Sequence, residues 1–173
     1  PNACTFGDKY KFIAVTSGLL ETFNDDEIDA VIAHECGHIL CHHTLYHSVV
    51  STLISQSVDR GIITREFSQS TLMALLYWKR KSELSCDRVA AVITSPDAVT
   101  RIMARFSGGS RELTANLNMD EWAAQAEMYE ELYRNTGVWE SALQICNTVE
   151  QDHPFAAVRV REILNWGRGQ QYL

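Results

Sequence analysis

At 173 residues and 19.5 kDa the chain is long enough for one domain with its own core. Its 15 Lys plus Arg against 22 Asp plus Glu give a net charge of −7, which argues against a general affinity for nucleic acid or anionic lipid. A composition that is 46% hydrophobic and 21% charged is that of a globular protein, and no run reaches the roughly 18 to 20 apolar residues of a membrane span. The longest tempting stretch, Leu45 to Val58, carries His, Ser, Thr and Gln. The chain starts Pro1-Asn2-Ala3, with no initiator Met and no basic-then-apolar signal, and reads as a piece of something longer. Five cysteines (Cys4, Cys36, Cys41, Cys86 and Cys146) include no C-x-x-C pair and are expected to be reduced and mostly buried.

The first 20 residues read as extended. Alternation over Phe12 to Ser17, with Gly7-Asp8-Lys9 as a turn after Ala3 to Phe6, predicts a hairpin. Asn24 followed by Asp25, Asp26 and Glu27 is a helix start, with Asn24 as the cap and Glu27 three residues on. Apolar residues from Ile28 to Leu40 then recur at helical spacing. Further helices are expected over about Arg65 to Arg80 and Glu83 to Thr94, with Ser95-Pro96-Asp97 opening the next. A flexible loop is expected from Gly108 to Asn118. Helices over Met119 to Arg134, Val138 to Thr148 and Phe155 to Trp166 complete the chain. The fold class is mainly α (α+β), one domain over 1–173 with a small N-terminal sheet.

His34-Glu35-Cys36-Gly37-His38 is H-E-x-x-H inside the predicted second element. Four-residue spacing puts both imidazoles on one helical face, where they can reach a single ion, and zinc suits imidazole nitrogen. Glu35 lies about 100° round the helix from His34, within reach of a water at the metal without binding the metal itself. A catalytic zinc needs a third protein ligand. The extended H-E-x-x-H-x-x-G-x-x-H pattern fails, because Cys41 and Thr44 hold the Gly and last His positions. Glu83 and Asp87, again four apart, supply the alternative: Glu83 binds the ion and Asp87 accepts from the free nitrogen of a ligand histidine.

These residues resemble the M48 metallopeptidases, which include the HtpX, Ste24 and Oma1 proteases. The resemblance rests on Pro1-Asn2-Ala3 followed by Val15 to Leu20, on Asp26 to Ala33 leading into His34, on Glu83-x-x-x-Asp87-Arg88, and on His153-Pro154 with Arg159. Cys86 departs from it, standing where the family usually has Ala. The transmembrane helices of its best-known members are also missing from this piece. The resemblance implies a zincin-like fold of the gluzincin type and a zinc endopeptidase with one zinc per chain, held by His34, His38 and Glu83. Glu35 is then general base and acid, His153 the donor to the oxyanion, and Asp87 a further proton donor. Ala3, Cys4 and Arg159 are assigned to substrate binding, with the Ala3 to Phe6 strand as the edge to which an extended peptide adds. Partners are a peptide or unfolded protein, with no nucleic acid. The setting is cytoplasmic, or membrane-associated within a longer chain.

Read without the family, Arg159 either orients a carboxylate or faces solvent. His42, His43 and His47 read as a solvated helix end, and Lys79-Arg80-Lys81 likewise. Cys36 and Cys86 read as small core residues, a sulfur ligand being the alternative. Tyr77-Trp78 read as core, the edge of a substrate pocket or a membrane surface being the alternative, and Trp122, Met128, Tyr129 and Tyr133 as core or interface. The competing function is a non-catalytic module in which zinc ties two helices together; a metal-dependent hydrolase of non-peptide amides is a third reading.

Overall fold

The computed structural model describes residues 2–7, 9–46, 48, 69–135 and 156–169. Strands β1 (Ala3–Phe6) and β2 (Phe12–Val15) form the expected antiparallel hairpin, with Ala3 opposite Val15 and Phe6 opposite Phe12. Gly7 closes it at φ +96°, where a Cβ would lie 1.9 Å from Tyr10 O, so no other residue fits without moving the turn. The extended reading stops at Thr16. Residues Ser17–Thr22 form a short helix, α1, whose Leu19 is fully buried. Burial of that one side chain decides the segment, and local alternation does not show it.

Helix α2 (Asp25–Leu40) begins as predicted. Asn24 Oδ1 accepts from Glu27 N at 2.8 Å, and Glu27 Oε2 accepts from Asn24 N at 3.0 Å, a reciprocal cap. The two helices expected on either side of Ser82 are one, α3 (Gln69–Ile93). Ser82 Oγ donates back to Lys79 O and Ser85 Oγ to Lys81 O, so these hydroxyls serve the helix already running and do not cap a new one. Helix α4 (Pro96–Gly108) starts at Ser95, whose hydroxyl accepts from Ala98 N. The expected flexible loop contains a short helix, α5 (Arg111–Thr114), capped by Ser110. Helices α6 (Met119–Asn135) and α7 (Ala156–Arg168) follow. The helix expected over Val138 to Thr148 lies outside the described residues, as do His47 and Cys146.

Helix α2 lies between two apolar clusters. Ala3, Leu19, Phe23, Ala30, Val31, Ala98 and Ile102 pack on one side; Ala33, Ala90, Ala91, Val99, Met103, Val160 and Ile163 join α2 to α3, α4 and α7 on the other. The α2–α3 crossing is close because its contact residues are small. A Cβ on Gly37 would sit 3.0 Å from Cys86 Cα and 3.1 Å from its Sγ. That approach brings the histidines of α2 up to the carboxylates of α3.

Several side chains sit elsewhere than expected. Of the four described cysteines, all free thiols, only Cys86 is buried; Cys41 is exposed, and Cys4 and Cys36 are half-buried. Tyr77 is exposed beneath the Arg80 and Lys81 cations, and Met128 is exposed too, whereas Trp122 packs on the core. Lys79-Arg80-Lys81 lies within α3 and not at its end. Among the described residues, no helix is long and apolar enough to cross a membrane.

Candidate metal centre

Helical spacing and the close α2–α3 crossing bring five chemistry-bearing side chains together. His34 and His38, one turn apart on α2, have ring centroids 5.1 Å apart. Their Nε2 atoms converge on the Glu83 carboxylate: His34 lies 3.4 Å from Oε2 and His38 3.5 Å from Oε1. The other nitrogen of His34, Nδ1, is 2.9 Å from Asp87 Oδ1, off the ideal hydrogen-bond line. Asp87 is fully buried, while His34, Glu35, His38 and Glu83 each keep a few per cent of exposure. Two imidazole nitrogens and a carboxylate oxygen meeting around one point are the donor set that zinc takes, so the residues present fit that ion.

Arg159 on α7 lines a pocket with Ala3, His34 and Glu35 and turns its guanidinium to two carboxylates. Its Nε donates to Asp87 Oδ2 at 2.8 Å and its Nη2 to Asp87 Oδ1 at 2.6 Å, while Nη1 stands 3.4 Å from Glu83 Oε2. The carboxylate-orienting reading of this residue is the one the geometry follows, because a buried guanidinium needs acids on every side it can reach.

Burial alone would neutralise these groups, and their mutual contacts reverse that. Burial disfavours the Glu83 carboxylate, yet the His34 hydrogen bond and the Arg159 and His38 charges hold its carboxyl well below the usual range. Asp87 is treated the same way: burial opposes its charge, and Arg159, then His34, restores it. His34 is desolvated as well, but Asp87 and Glu83 raise it to about 9, so in the metal-free chain it carries a proton that a metal must displace.

Glu35 points into the cleft between α2 and β1. Its Oε2 accepts from Thr5 Oγ1 at 2.6 Å, and its backbone oxygen lies 3.1 Å from the same hydroxyl. Thr5 escaped the sequence reading, since a lone Thr in a four-residue strand carries no signal of its own. The cleft, of about 400 Å³, is lined by Ala3, Cys4 and Thr5 of β1, by His34, Glu35 and His38, and by Glu83. Among the described residues no strand pairs with the other edge of β1. His153 lies outside the described residues.

Cys86 is the buried core residue expected, and it stands beside the two histidines; His43 departs from expectation. Donor atoms of His34, His38 and Cys86 lie within 4.8 Å of one another, so a sulfur stands at the edge of the metal position. His43 is buried and not part of a solvated end. The chain turns sharply at His42 (φ 57°), which folds His43 back so that its Nδ1 lies 3.4 Å from Cys86 Sγ and its ring packs edge-on against Trp78. His42 itself is exposed, with Lys11 Nζ 3.3 Å from its Nδ1.

The chain is 30% identical to the plastoglobule-localized metallopeptidase 48 of Arabidopsis thaliana, over 99% of this chain and 50% of that protein. It is also 30% identical to a protease HtpX homolog of Tropheryma whipplei, over 65% of this chain and 49% of that one. A shorter match to a protease HtpX homolog of Sulfurovum sp. reaches 46% identity over 31% of this chain and 20% of that protein. The chain thus spans about half the length of the first two relatives. No solved structure matches. The model of peptidase family M48 matches residues 1–167, nearly the whole sequence, and the chain belongs to that family.

Proposed function

We propose that residues 1–173 form the catalytic domain of a zinc-dependent endopeptidase. The observation that carries this reading is the convergence of His34 Nε2 and His38 Nε2 on the Glu83 carboxylate, within 3.5 Å, with Glu35 beside them in an open cleft. His34, His38 and Glu83 would hold the ion. Zinc supplies Lewis acidity there, polarising a carbonyl oxygen and easing the ionisation of water.

The rest is the work of the chain. Glu35, fixed by the Thr5 hydroxyl, takes the proton of the attacking water and passes it to the leaving amine as the carbon–nitrogen bond breaks. Asp87 orients His34. Because it is fully buried and held at both oxygens by Arg159, this role suits it better than donating a proton to substrate. The edge of β1 away from β2, to which no strand is added among the described residues, runs along the cleft wall at Ala3 and Cys4 and suits an extended peptide bound through backbone hydrogen bonds. His153 is the proposed donor to the oxyanion. The substrate class is peptide or unfolded protein.

Cys86 is the one observation favouring the competing reading, a closed structural site with four protein ligands. Burial pushes its thiol up, and Glu83 and Asp87 push it further, so a neutral thiol packed against Gly37 is the better description. Casein cleavage by the purified protein tests the proposal: a chelator should abolish it, and stoichiometric zinc should restore it. Cleavage that a chelator leaves untouched would show that the reading is wrong. In the cobalt-substituted protein, a sulfur-to-metal charge-transfer band would favour the closed site.

A further inference from the structure

The catalytic groups leave one end of the cleft unexplained. Lys79 lies one helical turn before Glu83 on α3 and lines the same cleft. It is half-buried, whereas its neighbours Arg80 and Lys81 are exposed over Tyr77. Among the described residues Lys79 makes no ion pair, and it is the only Lys or Arg among the residues lining this cleft. Thr44 lines the cleft as well, and its Oγ1 is buried with no hydrogen-bond partner among the described residues. The two residues come from segments that pack together, since the rings of His43 and Tyr46 both pack against Trp78. A half-buried lysine without an ion pair and a buried hydroxyl without a hydrogen-bond partner among the described residues, both from the lining of one cleft, offer donors to an anion.

We infer that Lys79 and Thr44 bind a substrate carboxylate and give the peptidase a preference for acidic peptides. This deepens the endopeptidase reading and rests on it. One helical turn is about 5.4 Å and an extended peptide advances about 3.3 Å per residue, so the carboxylate sits within one or two residues of the scissile bond. Its source is either an Asp or Glu side chain or the free carboxyl end of the peptide.

Short peptides with Glu, Gln or Lys placed at each of two positions on either side of a Leu–Leu bond separate these cases, each made with a free and an amidated C-terminus. Cleavage by the zinc-loaded enzyme is measured beside affinity for the zinc-loaded Glu35→Gln variant. The affinity arm reports on the subsite even if no peptide is cut. The wild-type chain should favour Glu over Gln by roughly 5- to 10-fold at one position, the size of a partly shielded ion pair. A preference that survives amidation identifies the side chain, and one that vanishes on amidation identifies the terminus. In Lys79→Met the Glu-to-Gln ratio should fall towards 1, Lys79→Arg should restore it, and Lys79→Glu should reverse it in favour of Lys. Thr44→Val should lower the ratio by a smaller factor. Equal handling of Glu and Gln by the wild type, or a preference unchanged in Lys79→Met, overturns the inference. Loss of all zinc-dependent cleavage with the affinity preference intact overturns the peptidase reading alone.

Discussion

Arg105 and Arg159 are both buried cations set against carboxylates, one beside the start of α2 and the other beside the histidines near its end. Arg105 stands 3.6 Å from Glu27, donates to Thr22 O and to Gly109 O, and lies over the Phe23 ring at 4.9 Å. Its partners are mostly carbonyls at the ends of other elements, so it ties α1, the capping turn and the end of α4 together. Arg159 spends its guanidinium on two acids that both touch histidines, Asp87 at hydrogen-bond distance and Glu83 at 3.4 Å. The same residue type serves the fold at one end of the helix and the electrostatics of the metal position at the other.

That contrast can be broken by substitution. Arg159→Met leaves Asp87 and Glu83 buried against each other without their cation, and should lower stability by about 3–5 kcal/mol in urea titrations while also altering zinc affinity. Arg105→Met should lower stability by about 1.5–3 kcal/mol, less because Glu27 keeps its bond to Asn24 N, and should leave zinc affinity within about threefold. A zinc defect in Arg105→Met, or none in Arg159→Met, would dissolve the distinction. Asp87→Asn keeps the shape but removes the charge facing His34, and zinc affinity should fall about 10- to 100-fold in competition with a chelating dye.

Proton competition sharpens the comparison further. In the metal-free chain His34 is raised from 6.5 to about 9, so its charged ring stabilises the fold fully below about 6.5 and loses that contribution as pH rises through about 9. Zinc needs the neutral ring, so its affinity should move the other way, rising about tenfold per pH unit up to that point. Thermal melts should show the metal-free midpoint falling between pH 6.5 and 9 while the shift induced by zinc grows. Parallel trends would contradict the assigned cause.

The candidate metal centre was legible in the sequence because its spacing is helical. His34 with His38 and Glu83 with Asp87 are each four apart, and the structure sets the two pairs face to face. The capping residues Asn24 and Ser95 were equally local. What escaped depends on contacts distant in sequence. Arg159 is 72 residues from Asp87, and nothing around it announces which acid it meets. Burial of Leu19 makes α1, and His43 is buried against Cys86 and Trp78, more than thirty residues away. Gly37 reads as an ordinary residue within H-E-x-x-H until Cys86 is seen against it.

Glu35→Gln offers the most direct measurement of the central claim, with zinc content and casein cleavage determined on one preparation. The variant should bind about one zinc per chain, as the wild type does, and lose about 10²- to 10⁴-fold in cleavage, the usual contribution of a positioned general base. Cleavage near the wild-type rate with zinc fully bound would contradict the role given to Glu35 and the reaction built around it.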